Sequence, residues 1–145
     1  MRNRRAYTKF VLGAGATVAA AVLLWGISSL GPAPRSSVVE VSEPELSVPA
    51  TKGKAVFEAN CAACHGMKAS GTDKGPPLVH DIYNPGHHAD AAFFAAAKFG
   101  VRQHHWPFGN MPPQRQVTEE QVAAIVRYVR ELQIANGIRY RPHRM

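Results

Sequence analysis

The residues best suited to chemistry lie in one short run, Cys61-Ala62-Ala63-Cys64-His65. Cys61 and Cys64 are the only two cysteines of the chain. Two thiols one helical turn apart can add to the two vinyl groups of one porphyrin. The adjacent imidazole is then held beneath the iron as its proximal ligand. C-x-x-C-H is on these grounds a signature of covalent haem attachment. A bare C-x-x-C also serves thioredoxin-like redox sites and zinc sites. Here the first lacks a βαβ context and the second lacks a convincing further pair of ligands. Two cysteines also exclude a multi-disulfide framework and a four-cysteine zinc site.

A second axial ligand has to come from elsewhere. Met111 lies in Gly109-Asn110-Met111-Pro112-Pro113, a rigid loop far enough beyond His65 to wrap around the other porphyrin face. A thioether ligand stabilises ferrous iron and raises the potential relative to bis-histidine ligation. Methionine more often fills cores, but a polar loop bounded by Asn and two prolines is poorly suited to that. Met67 follows the motif too closely, and Met145 is terminal. The remaining histidines are His80, His87, His88, His104, His105 and His143. They admit three readings: a copper or other metal site, an axial ligand, or polar loops packed around the haem edge and its propionates. The third is the expectation. Adjacent histidines in an extended loop point apart, so neither pair makes a site alone. Trp106 and Tyr83 are the candidate propionate donors.

These groups need elements to position them. Lys52–Cys61 reads as a helix, with Ala55, Val56 and Ala59 at helical spacing and Thr51 as its N-cap. Asp90 caps a short helix through Ala91–Phe99, with Gly100 at its C′ position. Thr118 begins the strongest helix. Gln121 completes a capping box, and Glu119 and Glu120 favour the positive end of the dipole. Val122, Ile125, Val129 and Leu132 mark its buried face, and Asn136-Gly137 ends it. Gly- and Pro-rich loops fill 66–89 and 100–117. No run alternates long enough to imply a sheet. The expected fold is all-α, with three main helices and long loops around one haem. A domain this small gains from a cofactor at its centre.

The net charge of +7 reads at first as nucleic-acid binding. However, Arg2, Arg4, Arg5, Lys9 and Arg35 all precede residue 36, and the rest carries twelve basic against ten acidic residues. No basic stripe with interleaved aromatics follows, so no nucleic-acid partner is expected. Phe10–Leu30 is a 21-residue run without charge. As a helix it would span roughly 30 Å, one hydrocarbon core. The positive charges before it place Met1 in the cytoplasm. A cleaved signal peptide has a shorter apolar region, of about 7–15 residues. Ser36–Pro49 has two prolines and no helical period.

Residues 50–137 resemble a class I monohaem cytochrome c. Gly53-Lys54-Ala55-Val56-Phe57 matches the Gly-x-x-x-aromatic pattern ahead of the haem motif, and Tyr128 is the matching aromatic on the last helix. Gly75-Pro76-Pro77-Leu78 matches the segment whose proline carbonyl accepts the proximal histidine's N–H, which gives Pro76 that role. Met111-Pro112 matches the pair before the last helix. The resemblance implies haem c on Cys61 and Cys64, with His65 and Met111 on the iron. It implies one-electron transfer to and from redox partner proteins, and no enzymatic activity. The alternatives are a haem peroxidase-like enzyme, should Met111 not bind iron, and a copper-handling or sensory haem protein using the loop histidines. The organisation read from the chain is a cytoplasmic basic segment (1–9), a transmembrane anchor or signal peptide (10–30), an extended linker (31–49), the cytochrome c domain (50–137) and a basic tail (138–145). That describes a single-pass protein of the bacterial inner membrane, with its haem domain in the periplasm and its redox partners in or at the membrane.

Overall fold

The computed structural model describes residues 38–142. The basic segment, the apolar run 10–30, residues 31–37 of the linker, and His143 lie outside the described residues. No helix among the described residues is long and apolar enough to cross a membrane.

The described chain is helical: α1 (Val48–Asn60), α2 (Ala62–His65), α3 (Asp90–Phe99) and α4 (Glu119–Ala135), with 3₁₀ turns at Met67–Ala69 and Asp81–Tyr83. No strand occurs among the described residues; Val101 and Met111 form an isolated antiparallel bridge. The centre of the fold is the crossing of α1 over α4. A Cβ at Gly53 would come within 1.9 Å of the Ala124 carbonyl oxygen. Only glycine therefore permits this approach. One turn on, the fully buried Phe57 and Tyr128 rings meet at 5.6 Å. The small residue thus meets backbone, while the matching aromatic meets Phe57. Val129, Leu132, Leu78, Val79 and Ile138 complete this core.

Helix α4 begins as the sequence indicates: Thr118 accepts from the Gln121 N–H and Gln121 reaches back to Thr118. Helix α1 starts earlier than expected. Ser47, not Thr51, is its N-cap, accepting from Ala50 N, and Pro49 lies in the first turn. Proline is pre-organised for that place, where its missing N–H costs nothing. Asp90 is likewise not a cap: Ala89 takes that position and Asp90 occupies the first turn of α3.

Residues 38–46 carry no regular secondary structure, as their composition implies, but they are docked rather than detached. Val39 N donates to Ser70 O at 2.8 Å, and Val39, Val41 and Leu46 pack against the core. Glu43 pairs with Lys54 at 2.6 Å. Ser47 binds Glu131 of α4 through both its N–H and its hydroxyl, at 3.0 and 2.7 Å. The tail is similar. Ile138 is buried, and Arg141 pairs with Asp81 at 3.0 Å. The domain thus extends beyond 50–137 at both ends, because apolar residues there find uncovered core.

Candidate haem site

Helix α1 ends at Cys61, whose backbone leaves the helical region (φ −120°). Its carbonyl then accepts from Cys64 N at 3.1 Å and His65 N at 2.9 Å. This single turn is α2, and it sets both thiols and the imidazole relative to one another. The thiols are not joined to each other. Burial, reinforced by the neighbouring Cys64, pushes the Cys61 thiol of the haem-free chain up to about 11.

His65 Nδ1 lies 2.8 Å from Pro76 O. A carbonyl only accepts, so Nδ1 carries the hydrogen and Nε2 keeps its lone pair. That is the form in which histidine ligates metal. Burial holds His65 below the usual imidazole range, the Pro76 carbonyl opposing it. Gly75 makes the approach of Pro76 possible, since a Cβ there would stand 2.9 Å from Cys64 O.

Met111 is fixed by its backbone. Val101 N donates to Met111 O at 3.0 Å and Met111 N to Val101 O at 2.9 Å. The neighbouring Asn110 side chain accepts from Gln103 N at 2.9 Å, and Gln114 N donates to Ala97 O of α3 at 2.7 Å.

Cys61, His65, Pro76 and Met111 all line one cleft of about 440 Å³, within the range of ligand pockets. Cys64 is exposed and is not among its lining residues. Phe57, Leu78, Phe93, Val122 and Ile125 give the cleft apolar walls. Two observations fit a large apolar cofactor with a polar edge. Helix α3, Asp-Ala-Ala-Phe-Phe-Ala-Ala-Ala-Lys-Phe, is mostly apolar, yet none of its residues is buried. The Trp106 indole N–H is buried beside the Tyr83 hydroxyl but closes no full hydrogen bond to it, an arrangement that native interiors rarely leave unexplained. Tyr83, also in the lining, has its hydroxyl pushed up to about 12 by burial, with the Trp106 N–H beside it pulling the other way.

Sequence reasoning missed the residues that hold this side of the cleft. Arg130 donates to Tyr83 O at 2.8 Å and to His88 O at 2.6 Å, pairs with Asp90 at 2.8 Å, and stacks on Phe93. Gln133, 1% exposed, donates to Leu78 O and Tyr83 O. Gln133 continues the buried stripe Val122, Val126, Val129. A polar residue in an apolar stripe was the available signal.

The histidines depart from expectation. The rings of His87 and His88 are 4.7 Å apart, and those of His104 and His105 are 4.3 Å apart. Neighbours do not point away from each other, because both loops turn there instead of running extended. His80 caps the 81–83 turn, accepting from Ile82 N, and meets Trp106 edge-on. Burial, with its histidine neighbours reinforcing, holds His88 below the usual range against the Ile82 carbonyl.

Comparison with curated proteins and with solved structures gave no match. A family model described as Cytochrome c matches residues 50–133, the stretch that runs from the first turn of α1 nearly to the end of α4 and contains the haem-attachment pair Cys61 and Cys64, so the chain belongs to the cytochrome c family and carries covalent haem c.

Proposed function

We propose that the chain is a one-electron carrier in which His65 Nε2 and the Met111 thioether would hold the haem iron. Haem-based electron transfer is the general role of the family. When bound, the cofactor supplies the redox change, alternating between ferric and ferrous iron. The chain supplies everything else. Pro76 holds the His65 proton on Nδ1 and so keeps Nε2 basic. The Val101–Met111 bridge and the two following prolines limit how far the thioether can move. The apolar walls exclude water and favour the less charged iron. The observation that carries this reading is that His65, with its tautomer set by Pro76, and the rigid Met111 loop line one cleft. With both positions filled, no site remains for a peroxide substrate, which favours a carrier over an enzyme.

The test is Met111→Ala. The wild type should show the weak red-end band of sulfur–iron ligation, and the variant should lose it and have a changed potential. Met111→His should lower the potential. An unchanged spectrum in Met111→Ala would overturn the assignment.

The membrane context belongs to the same proposal. Phe10–Leu30 anchors the chain in the bacterial inner membrane, with the haem domain in the periplasm near membrane-associated redox partners. Because residues 38–47 are docked on the domain, at most residues 31–37 remain as tether. Their fully extended length is about 25 Å, far less than the roughly 65 Å that the whole stretch 31–49 would reach. Fractionation with mass spectrometry of the mature N-terminus tests this. Detergent-released protein retaining residues before Phe10 supports the anchor; a soluble product beginning near residues 29–37 refutes it.

A further inference from the structure

His87 and His88 come from the turn before α3, and His105 comes from the loop that carries Met111. One ring nitrogen of each lies within 4.8 Å of the other two. His87 Nε2 and His105 Nε2 stand 3.2 Å apart. Two imidazole nitrogens about 2.0–2.1 Å from a shared ion, at 90–110° to each other, stand roughly 2.8–3.4 Å apart. The observed separation is the one a common metal would impose.

The third ring is oriented from behind. His88 Nδ1 lies 2.7 Å from Ile82 O. A carbonyl only accepts, so Nδ1 holds the hydrogen and the lone pair is on Nε2. Tying the rear nitrogen to a carbonyl is how proteins orient a metal-binding histidine. Arg130 of α4 holds the same turn in place through Tyr83 O and His88 O. His104 is set similarly, with Nδ1 2.8 Å from Arg102 O, and its ring lies 6.1 Å from that of His88.

We propose that His87, His88 and His105 form a second metal site at the rim of the haem cleft, separate from the haem iron, and that its ion is copper(II). The donor set is three imidazoles, with no thiolate and no carboxylate among them. Imidazole suits zinc, copper, nickel and iron, and among the divalent first-row ions copper binds such a site most tightly. His88 and His105 also line the cleft, which puts the ion beside the bound cofactor. The rival account is that His87 and His105 simply share one proton as a neutral N–H···N pair. It needs no metal and predicts none.

The test uses the purified, haem-loaded full chain, stripped by chelator dialysis and then given copper(II) alone. After gel filtration, elemental analysis should find one copper per iron. Electron paramagnetic resonance should show copper hyperfine lines split by nitrogen. His105→Ala changes a surface ring and should weaken copper binding by about 100-fold or more, beyond the roughly 10–100-fold that losing an outer partner costs. His87→Ala with His105→Ala should abolish it, and both variants should keep a low-spin haem spectrum. Substoichiometric copper in the wild type, or equal retention by the variants, would overturn the proposal. So would loss of the low-spin haem spectrum in the variants, since a histidine would then be a ligand of the haem iron. Displacement of copper by an equal concentration of zinc(II) would overturn the choice of ion.

Discussion

The two faces of this domain are built on different terms. On one, α1 and α4 bury their side chains against each other: Phe57, Tyr128, Val129 and Leu132 have no exposed surface. On the other, α3 and the loops 66–89 and 101–117 surround a cleft, and no residue of α3 is fully buried although it is mostly apolar. The first face is a protein core completed by protein. The second is a core that haem c completes. Burial of apolar surface drives both, but only the first can be perturbed without reference to the cofactor.

The largest effect is expected at the helix crossing. Gly53→Ala puts a methyl 1.9 Å from Ala124 O, and backbone cannot yield as a flexible side chain would. A loss of about 3 kcal/mol or more is expected, measured by denaturant unfolding of the holoprotein. A stability within about 0.5 kcal/mol of wild type would mean that the crossing is not tight.

Next comes the clamp between the two faces. Gln133→Leu leaves Leu78 O without its side-chain donor and removes one of the two donors to Tyr83 O. Leaving buried partners unsatisfied costs about 1–3 kcal/mol. The variant should also broaden the haem absorption, because the 78–88 loop lines the cleft. A stability loss with an unaltered haem spectrum would show that the clamp serves only the helix face.

The two faces were unequally legible in the sequence. The start of α4 could be read from Thr118 and Gln121 alone, since a capping box is a local device. The haem motif was legible because its spacing carries the chemistry, and Pro76 because the family resemblance puts its carbonyl at the His65 ring. The start of α1 was misplaced at Thr51 because Pro49 looks like the end of a linker, whereas Ser47 with a proline in the first turn is itself a helix start. The docking of 38–46 and the convergence of His87, His88 and His105 were not legible. Each depends on partners far away in sequence, such as Ser70 for Val39 and Arg130 for the His88 turn.

A smaller effect is expected at the cofactor edge. Trp106 has a buried N–H that closes no full hydrogen bond within the protein. A propionate would be that partner, and a hydrogen bond to a charged group contributes about 1.5–3 kcal/mol. Trp106→Phe should therefore alter the pH dependence of the reduction potential, since a propionate that loses its donor protonates more easily. A change in stability alone, with the pH dependence intact, would reduce Trp106 to packing.

The smallest effect concerns the docked segment. Glu43 holds the Lys54 ammonium above its usual range, chiefly through their hydrogen bond. A raised folded-state value means the pair contributes in full below about pH 10 and is lost as pH rises through the folded value. The ions are partly exposed, so Glu43→Gln should cost no more than about 1 kcal/mol near neutrality. The difference from wild type, followed by thermal unfolding, should vanish in strong alkali. A difference independent of pH would show that the charge pair is not its source.

In the function proposed here, the loop face closes around a haem whose iron would be held by His65 and Met111. Carbon monoxide tests it most directly, because it binds ferrous haem only where a position is open. Added to the reduced full chain, the gas should leave the low-spin absorption spectrum unchanged, while reduced Met111→Ala should convert promptly to a carbonyl spectrum. Prompt carbon monoxide binding by the wild-type protein would show that Met111 does not hold the iron and point to an open, peroxidase-like site.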